Sequence, residues 1–267
     1  MTTPDTYELF AIKYAHHGER MANLNFIGGD PHEGPMPLDF YVWLARGTRR
    51  SFVVDLGFNA ETALHRKREL LRNPAEGLRL IDVDPATVED VILTHLHYDH
   101  VGNFDLFPRA NFHLQDKEME YATGRYMAQR PFAEAYAVED VVGLVREVYK
   151  GRVTFHDGDA ELAPGLSVHH IGGHTAGLQV VRVMTRRGWV VLASDAAHLY
   201  ANFETVRPFP IVFHVGAMID GYRRIRELAA SADHIIPGHD PLVMRRYPPA
   251  TPALEGIAVR LDVDPRG

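Results

Sequence analysis

The chain has 267 residues, of which 46% are hydrophobic and 24% are charged, and this length suffices for one large core. It contains no cysteine, which excludes disulfide bonds, thiolate metal ligands and a cysteine nucleophile. The net charge of −7 and the lack of a basic stripe argue against a nucleic-acid partner, and no segment approaches the roughly 20 apolar residues of a membrane span. The stretch Met1–Asp5 lacks the pattern of a secretion signal, so we expect a cytoplasmic protein.

Strands are predicted near the start of the chain. Residues 7–14 alternate as a half-buried strand, and residues 37–44 and 50–57 predict a hairpin. His16 and His17 follow the first strand. They are expected to be surface loop residues, although a pair at a strand end could also face a substrate pocket.

A loop is predicted between the first strand and the hairpin, because residues 22–36 are rich in glycine and proline. Phe26 and Ile27 are unusual in such a segment. Apolar residues in a long loop can pack into the domain core, line the entrance of a binding site or form a contact in a homodimer. The sequence does not decide among these three roles.

Two segments show helical patterns. Residues 60–72 have the 3.6-residue spacing of an amphipathic helix. Residues 116–150 are also helical in pattern, with an interruption at Pro131 and aromatic residues spread along them. The second segment could cover a functional site or simply pack as a helical core.

A polar cluster follows the apolar residues 88–93, which predict a buried strand. Three imidazoles and one carboxylate lie close together here, on His95, His97, Asp99 and His100. All four are ligands for a borderline metal such as zinc, and strand alternation lets the first two histidines point the same way. Because one metal cannot easily take all four, two neighbouring metals are expected. The alternative is a solvated loop with chance histidines, which is disfavoured because unpartnered imidazoles are costly to cluster.

The second half of the chain repeats the arrangement of strands followed by a helix. A helix is predicted over residues 220–231, and strands over residues 152–155, 166–171, 178–185, 188–193 and 233–237. With polar residues at strand ends in both halves, the pattern indicates an α/β fold, a four-layer αββα sandwich made of two similar halves.

The pattern His-x-His-x-Asp-His at residues 95–100 resembles the signature of the metallo-β-lactamase superfamily. Three downstream segments, at residues 172–177, 193–195 and 237–240, resemble its further ligand loops. The resemblance implies one metal held by His95, His97 and His174, a second held by Asp99, His100 and His239, and a bridging carboxylate on Asp195. It also implies a single domain over residues 1–267, in which the helical segment at about 116–150 is an insert near the active site.

The resemblance implies hydrolytic chemistry at two divalent metal ions. Zinc suits a site built from nitrogen and oxygen ligands alone, and iron, manganese or cobalt could substitute. Two cations bridged by Asp195 would lower the pKa of a bridging water, give hydroxide at neutral pH and polarise a carbonyl for attack. His97 stands where the diiron members of the superfamily carry a glutamate, which favours hydrolysis over redox chemistry.

Within the superfamily, the ligand spacing, the length and the stretch Ser194–Tyr200 most resemble the N-acyl-homoserine lactonases and related lactone hydrolases. The resemblance implies a quorum-quenching enzyme that opens an acyl-homoserine lactone or a related small lactone. Two alternatives stay open: a hydrolase of another cyclic amide, ester or thioester, as in glyoxalase II, or a non-catalytic metal-binding scaffold. A scaffold would be inert, but such members tend to lose ligands.

One departure from the lactonases concerns catalysis. They carry a tyrosine three residues after the bridging aspartate, where this chain has His198, with Tyr200 two residues later. His198 is expected either to donate a hydrogen bond to the oxyanion or protonate the leaving alkoxide, or only to form the pocket wall. Asp99, His198 and Tyr200 are therefore the candidate catalytic residues.

Overall fold

The computed structural model describes residues 5–266, which form an α/β domain with two β-sheets. Met1–Pro4, on which the expectation about a secretion signal largely rests, lies outside the described residues. Within residues 5–266, no helix is both long and apolar enough to cross a bilayer.

The strands of the described residues divide between a larger and a smaller sheet. In chain order they are β1 Glu8–His17, β2 Leu38–Arg46, β3 Ser51–Val54, β4 Glu69–Leu70, β5 Asp90–Ile92, β6 Asn111–Gln115, β7 Val153–His156, β8 Ala160–Ala163, β9 Leu166–His170, β10 Gln179–Thr185, β11 Gly188–Ser194, β12 Ile235–Pro237 and β13 Ala258–Arg260. The larger sheet has the order β13-β1-β2-β3-β5-β6-β7, with β4 paired to β1, and the smaller has the order β12-β11-β10-β9-β8.

The α-helices are mostly short and lie between strands. They are α1 Ala60–Arg66, α2 Pro74–Arg79, α3 Tyr98–Val101, α4 Asp116–Ala122, α5 Arg130–Ala133, α6 Val138–Tyr149, α7 Tyr200–Glu204, α8 Val215–Leu228 and α9 Leu242–Arg246. The predicted helical segment 116–150 thus contains three helices, and Pro131 lies in the first turn of α5, where its missing N–H costs no hydrogen bond.

The larger sheet separates two hydrophobic cores. On β1, Leu9 and Ala11 point into a core shared with the smaller sheet, whereas Phe10 and Ile12 point into the core that contains residues of α2 and α6. This follows from the two-residue period of a strand, which sends alternate side chains to opposite faces. On the other side, α8 packs on the smaller sheet. The order helix, sheet, sheet, helix confirms the predicted αββα sandwich.

The helix predicted over residues 60–72 is wrong in its second half. The helix ends at Arg66, because Lys67 adopts a left-handed conformation with φ of 53°, and the chain then forms β4. The break redirects the residues that follow it, so that Arg66 and Arg68 do not continue a helix face.

The glycine-rich loop tucks one of its two apolar residues into the domain. Phe26 is buried in a small cluster with Leu38 and Leu199, whereas Ile27 remains 45% exposed. Of the uses that the sequence left open, packing accounts for Phe26 alone.

Candidate metal centre

The predicted ligands lie at strand ends because of how the sheets are built. Strands β3 and β5 run parallel, and so do β11 and β12, so their carboxyl ends meet at a common edge. The loop after β5 carries the histidine cluster, and the loops after β11 and β12 carry Asp195 and His239. His174 lies in the turn between β9 and β10.

One group of ligand atoms surrounds one oxygen of Asp195. His174 Nε2 lies 3.2 Å from His95 Nε2 and 2.9 Å from His97 Nδ1. Asp195 Oδ2 is 3.2 Å from His174 Nε2 and 3.8 Å from His95 Nε2. These four buried side chains bring one ligand atom each within 4.8 Å of the others.

A second group faces the other oxygen of the same carboxylate. Asp195 Oδ1 lies 3.0 Å from His239 Nε2 and 3.5 Å from His100 Nε2. The carboxylate of Asp99 lies 3.7 Å from each of these two nitrogens. Asp99, His100 and His239 therefore form a second buried group, and Asp195 stands between the two groups with one oxygen toward each.

The outer nitrogens of several imidazoles are held by acceptors, which determines the tautomers. His174 Nδ1 donates to the carbonyl of Ile211 at 2.7 Å, and His239 Nδ1 donates to the carbonyl of Asp39 at 2.9 Å. His100 Nδ1 lies 2.7 Å from the buried carboxylate of Asp55. Since these nitrogens donate, the Nε2 atom of each ring faces inward and offers a lone pair to a cation when the ring is neutral.

The inward lone pairs fit a cation. Thr94 Oγ1 gives its hydrogen to Asp55, so it accepts from His95 Nδ1 at 3.1 Å. With protons on the Nδ1 atoms, Nε2 of His174 and Nε2 of His95 face each other without a proton to share. Among the described residues, His100 Nε2 and Asp195 Oδ1 are buried without a hydrogen-bond partner. Acceptors that converge in this way repel one another unless a positive charge lies between them, so the donor set fits metal ions.

The charges around the site agree with this fit. Burial lowers the pKa of His95 and His97 well below the usual value, and the neighbouring imidazoles are the next largest cause. Both rings are therefore neutral at pH 7 and can act as ligands. Burial also opposes a charge on His100, but Asp55, Asp99 and Asp195 outweigh it and raise the pKa of that ring. The carboxylates thus create a field that favours a cation.

Asp55 supports the motif loop from the end of β3. Its carboxylate accepts hydrogen bonds from the backbone nitrogen and the hydroxyl of Thr94, both at 2.8 Å, in addition to the contact with His100. Thr94 Oγ1 also contacts Ser194 Oγ at 2.9 Å, which links the loop after β5 to the end of β11. One buried carboxylate therefore positions ligands on both sheets.

Glu118 in α4 holds two ligand loops together. Its Oε1 accepts from the Leu96 nitrogen and the Tyr136 hydroxyl, each at 3.0 Å. Its Oε2 accepts from the Thr175 hydroxyl at 2.5 Å and the Gly177 nitrogen at 3.1 Å. The role of Glu118 could not be predicted from the sequence, because nothing in a helical pattern marks one glutamate as buried.

His198 lies beside the cluster. Its ring stacks on Phe209 with centroids 3.5 Å apart, and its Nε2 donates to Asp195 Oδ2 at 2.9 Å. Burial lowers its pKa to about 3 against the opposing effect of Asp195, so the ring is neutral at pH 7. The Nδ1 atom has no hydrogen-bond partner among the described residues. The geometry suits both a wall residue and a hydrogen-bonding residue.

The structure does not bring Tyr200 to the cluster. Its side chain is buried in the core, its ring lies against Phe203, and the guanidinium of Arg246 lies 4.0 Å from its centroid. It does not line the cavity that contains His198. The catalytic role predicted for Tyr200 is therefore corrected, because the first turn of α7 directs the side chain into packed core rather than toward the ligands.

A cavity of about 290 Å³ opens onto the cluster. At its inner end lie the ligands and His198, and Pro131, Glu134 and Ala135 of the helical segment form part of its wall. Its wall also contains four basic side chains, from His17, Arg20, Arg66 and Arg68. We call this group the outer end of the cavity, because His17, Arg66 and Arg68 are half-exposed whereas the ligands are buried. His17 was expected in a surface loop, with a substrate pocket as the alternative; it lies at the end of β1 and lines the cavity, as in the alternative. The arginines were not identified from the sequence.

The chain matches the model of the metallo-β-lactamase superfamily over residues 38–241. It is 32% identical to the N-acyl homoserine lactonase AiiB of Rhizobium rhizogenes over 180 residues. This alignment covers 63% of this chain and 62% of that protein. It is 26% identical over 220 residues to an N-acyl homoserine lactonase of Bacillus cereus, covering 76% and 82% of the two chains. The match to the Rhizobium protein thus spans less than two thirds of its length.

Solved structures resemble the chain in fold. The crystal structure of a quorum-quenching N-acyl homoserine lactone lactonase superposes with a TM-score of 0.75 at 22% identity, covering 91% of this chain and 95% of the other. The dizinc quorum-quenching lactonase AidC superposes with a TM-score of 0.69 at 14% identity, covering 90% of each chain.

Proposed function

The chain belongs to the metallo-β-lactamase superfamily, and from that premise we propose that it is a binuclear metal-dependent hydrolase that opens a small lactone. The observation that carries the proposal is the carboxylate of Asp195, which turns one oxygen toward each of two groups of inward lone pairs. A scaffold would need neither this shared carboxylate nor the cavity that leads to it. The similarity to N-acyl homoserine lactonases supports the choice of a lactone.

The residues would divide between two ions, with zinc as the proposed metal. His95, His97 and His174 would hold one ion, Asp99, His100 and His239 the other, and Asp195 would bridge them. When bound, two divalent cations supply an activated water and a polarised carbonyl.

The reaction is addition of water across the ring ester. The water oxygen forms a bond to the carbonyl carbon, and the bond between that carbon and the ring oxygen breaks. One proton of the water ends on the ring oxygen and the other is released to solvent, which yields a hydroxycarboxylate. Asp99 and His198 both line the cavity and can exchange protons there. We assign Asp99 to carry the proton to the leaving oxygen, because its carboxylate is only loosely held, at 3.7 Å from each neighbouring imidazole.

His198 would contribute at the carbonyl. The neutral imidazole has one N–H, which Nε2 gives to Asp195 Oδ2 in this structure. If Asp195 Oδ2 instead ligates a metal, that N–H would be free to donate to charge that develops on the carbonyl oxygen, and stacking on Phe209 fixes the plane in which the donor lies. A wall role that only shapes the substrate is the alternative, and a substitution described below distinguishes the two.

The test joins metal analysis to a substrate panel of lactones, thioesters, β-lactams and phosphodiesters. We expect about two metal ions per chain under metal-replete conditions and fastest turnover on a lactone. About one ion or none would contradict the binuclear site. Preferred hydrolysis of a thioester would instead support a function like that of glyoxalase II, and a fully loaded but inert protein would support a scaffold.

A further inference from the structure

The outer end of the cavity carries positive charge that forms no direct ion pair with a carboxylate of the described residues, although Asp195 and Asp99 act on Arg20 from a distance. Among the described residues, Arg20, Arg66 and Arg68 form no ion pair, although many other arginines on the surface do. The acidic residues that line the same cavity are otherwise engaged. Asp99 and Asp195 lie in the metal cluster, and the exposed side chain of Glu134 faces Arg130 at 3.6 Å.

Arg20 is the most deeply placed of the three, with only 8% of its surface exposed. Its Nε donates to the side chain of Asn25 at 2.5 Å, and its Nη2 donates to the carbonyl of Leu24 at 2.6 Å. No hydrogen bond within residues 5–266 uses its Nη1. Burial, with the nearby charge of Arg68 next, lowers its pKa to about 10, so it remains charged at pH 7.

Arg66 and Arg68 are anchored by neutral groups. Arg66 donates to the carbonyls of Glu134 and Tyr136, and its guanidinium lies 4.4 Å from the centroid of the Tyr98 ring. Arg68 donates from Nε to the Tyr98 hydroxyl at 3.2 Å and from Nη1 to the Arg66 carbonyl at 2.7 Å. Its Nη2 forms no hydrogen bond among the described residues. Each side chain is thus oriented, and unused N–H groups remain.

A cluster of like charges without a counterion is unfavourable for folding, since each guanidinium raises the cost of placing the next. Such an arrangement is typical of a site that binds an anion, where the cost is offset by the ligand. His17 beside them cannot add to the repulsion, because burial and then Arg68 and Arg20 lower its pKa to about 4. It is a neutral hydrogen-bonding group at pH 7.

We propose that the outer end of the cavity binds a carboxylate on the substrate, so that the lactone opened at the metal cluster carries a negatively charged substituent. The inference rests on the proposed function for the lactone ring, but the residues that carry it are separate from the metal ligands. The guanidinium fork of arginine matches the two oxygens of a carboxylate. A cavity of about 290 Å³ is at the lower end of small-molecule sites, roughly 300–1,000 Å³, which suits a compact charged substituent better than a long acyl chain.

Two lactones that differ in one group test the proposal. N-succinyl-homoserine lactone ends in a carboxylate where N-butanoyl-homoserine lactone of the same chain length ends in a methyl group. We expect the wild-type protein to give a kcat/KM at least about tenfold higher for the succinyl compound, the size of effect of one or two charge-assisted hydrogen bonds. The preference should lie in KM, since the contact with the carboxylate is the same in the ground state and the transition state.

Arg68→Gln should reduce the ratio of the two kcat/KM values to within about threefold of unity. Arg20 is less suitable for substitution, because its contacts also hold the loop at Asn25. Arg72→Gln is the matched control, because Arg72 also donates to a backbone carbonyl and forms no ion pair among the described residues, but does not line the cavity. It should leave the ratio unchanged. Equal kcat/KM values for the two lactones in the wild type, or a preference that survives Arg68→Gln and Arg66→Gln, would overturn the proposal.

A binding measurement separates this inference from the proposed function. Calorimetry of the metal-loaded protein with ring-opened N-succinyl-homoserine and N-butanoyl-homoserine compares two ligands that differ only in the outer carboxylate. If neither lactone is hydrolysed but the succinyl ligand binds at least about tenfold more tightly in the wild type and not in Arg68→Gln, the proposed function fails and the carboxylate site stands. If both lactones are opened but both ligands bind equally, the function stands and the carboxylate site is overturned.

Discussion

The two ends of the cavity are built on opposite principles. At the inner end, His174 and His239 each have a proton fixed by a backbone carbonyl, and every predicted ligand is buried. At the outer end, Arg66 and Arg68 are only half-buried and are held by carbonyls and a tyrosine hydroxyl, with donors left over. Under the two proposals above, the inner end would carry out the reaction and tolerate little change in the positions of its groups, whereas the outer end would select the substrate.

The strongest test of the inner end removes a ligand of the second group. Asp99→Ala or His239→Ala should reduce hydrolysis to near background and lower the metal content, because each contributes one of only a few ligand atoms near Asp195 Oδ1. Circular dichroism should show that the fold persists, since both lie at strand ends. His113→Ala is the control, because His113 is an equally buried histidine that bonds Asp90 away from the cavity. Unchanged turnover in either ligand variant would end the two-metal mechanism.

A smaller effect is expected when the support behind a ligand is altered. Asp55→Asn keeps the shape of the side chain but replaces one carboxylate oxygen by an NH2 group. That group cannot accept the hydrogen bonds that Thr94 and His100 donate to Asp55. We expect metal affinity, measured by competition with a chelator, to fall by about 10- to 100-fold. Asp90→Asn removes a buried carboxylate elsewhere in the larger sheet and should leave metal affinity as it is. If Asp55→Asn bound metal as tightly as the wild type, the hydrogen bonds of Asp55 would not be needed to position the ligands.

His198 lies between the two kinds of region, because it contacts Asp195 but is not among the seven predicted ligands. His198→Phe preserves the stack on Phe209 and removes both nitrogens. If the ring donates to the oxyanion, turnover of the best substrate should fall by about 100-fold. A fall of less than about fivefold would assign His198 to the wall, and the metals alone would then support the oxyanion.

The smallest predicted effect concerns the pH dependence of stability at the outer end. The pKa of His17 falls to about 4 in the folded protein from a usual value of 6.5, chiefly through burial and then through Arg68 and Arg20. The unfolded chain therefore binds the extra proton first, and stability is lost as the pH falls from about 6.5 toward 4.

His17→Gln cannot take up that proton. Between pH 7.5 and pH 5, the wild type should lose on the order of 1 kcal/mol more in its free energy of unfolding than the variant, a value reduced because His17 is half-exposed. Urea unfolding of both proteins at the two pH values measures the difference. Parallel losses would show that neither burial nor the arginines lower the pKa of His17.

The inner end could be predicted from the sequence, and the outer end could not. His95 to His100 are adjacent in the chain, and the ligand loops follow strands whose apolar runs are easy to recognise, so both the αββα fold and the candidate ligands were accessible. The sequence could not show which oxygen of Asp195 faces which group, because this depends on how the two sheets pack. It also gave no sign that Tyr200 turns into the core.

The arginines were missed because their position depends on a local break in the backbone. A continuous helix over residues 60–72 would spread Arg66 and Arg68 around its faces, but the left-handed Lys67 ends the helix between them. Arg20 joins them only through the folding of the glycine-rich loop. None of the three stands in a motif, so only the assembled structure brings their charges together.

Glu118 has a consequence for attempts to exchange parts between proteins of this fold. The helical segment that carries it supplies the acceptor for four donors, two of which belong to the turn at Thr175 and Gly177. A chimera that received a different segment would leave those donors buried and unpaired unless the graft brought a carboxylate to the same point. The segment is therefore not an independent module, and recombination at its ends should succeed only when the incoming segment carries a carboxylate at the position of Glu118.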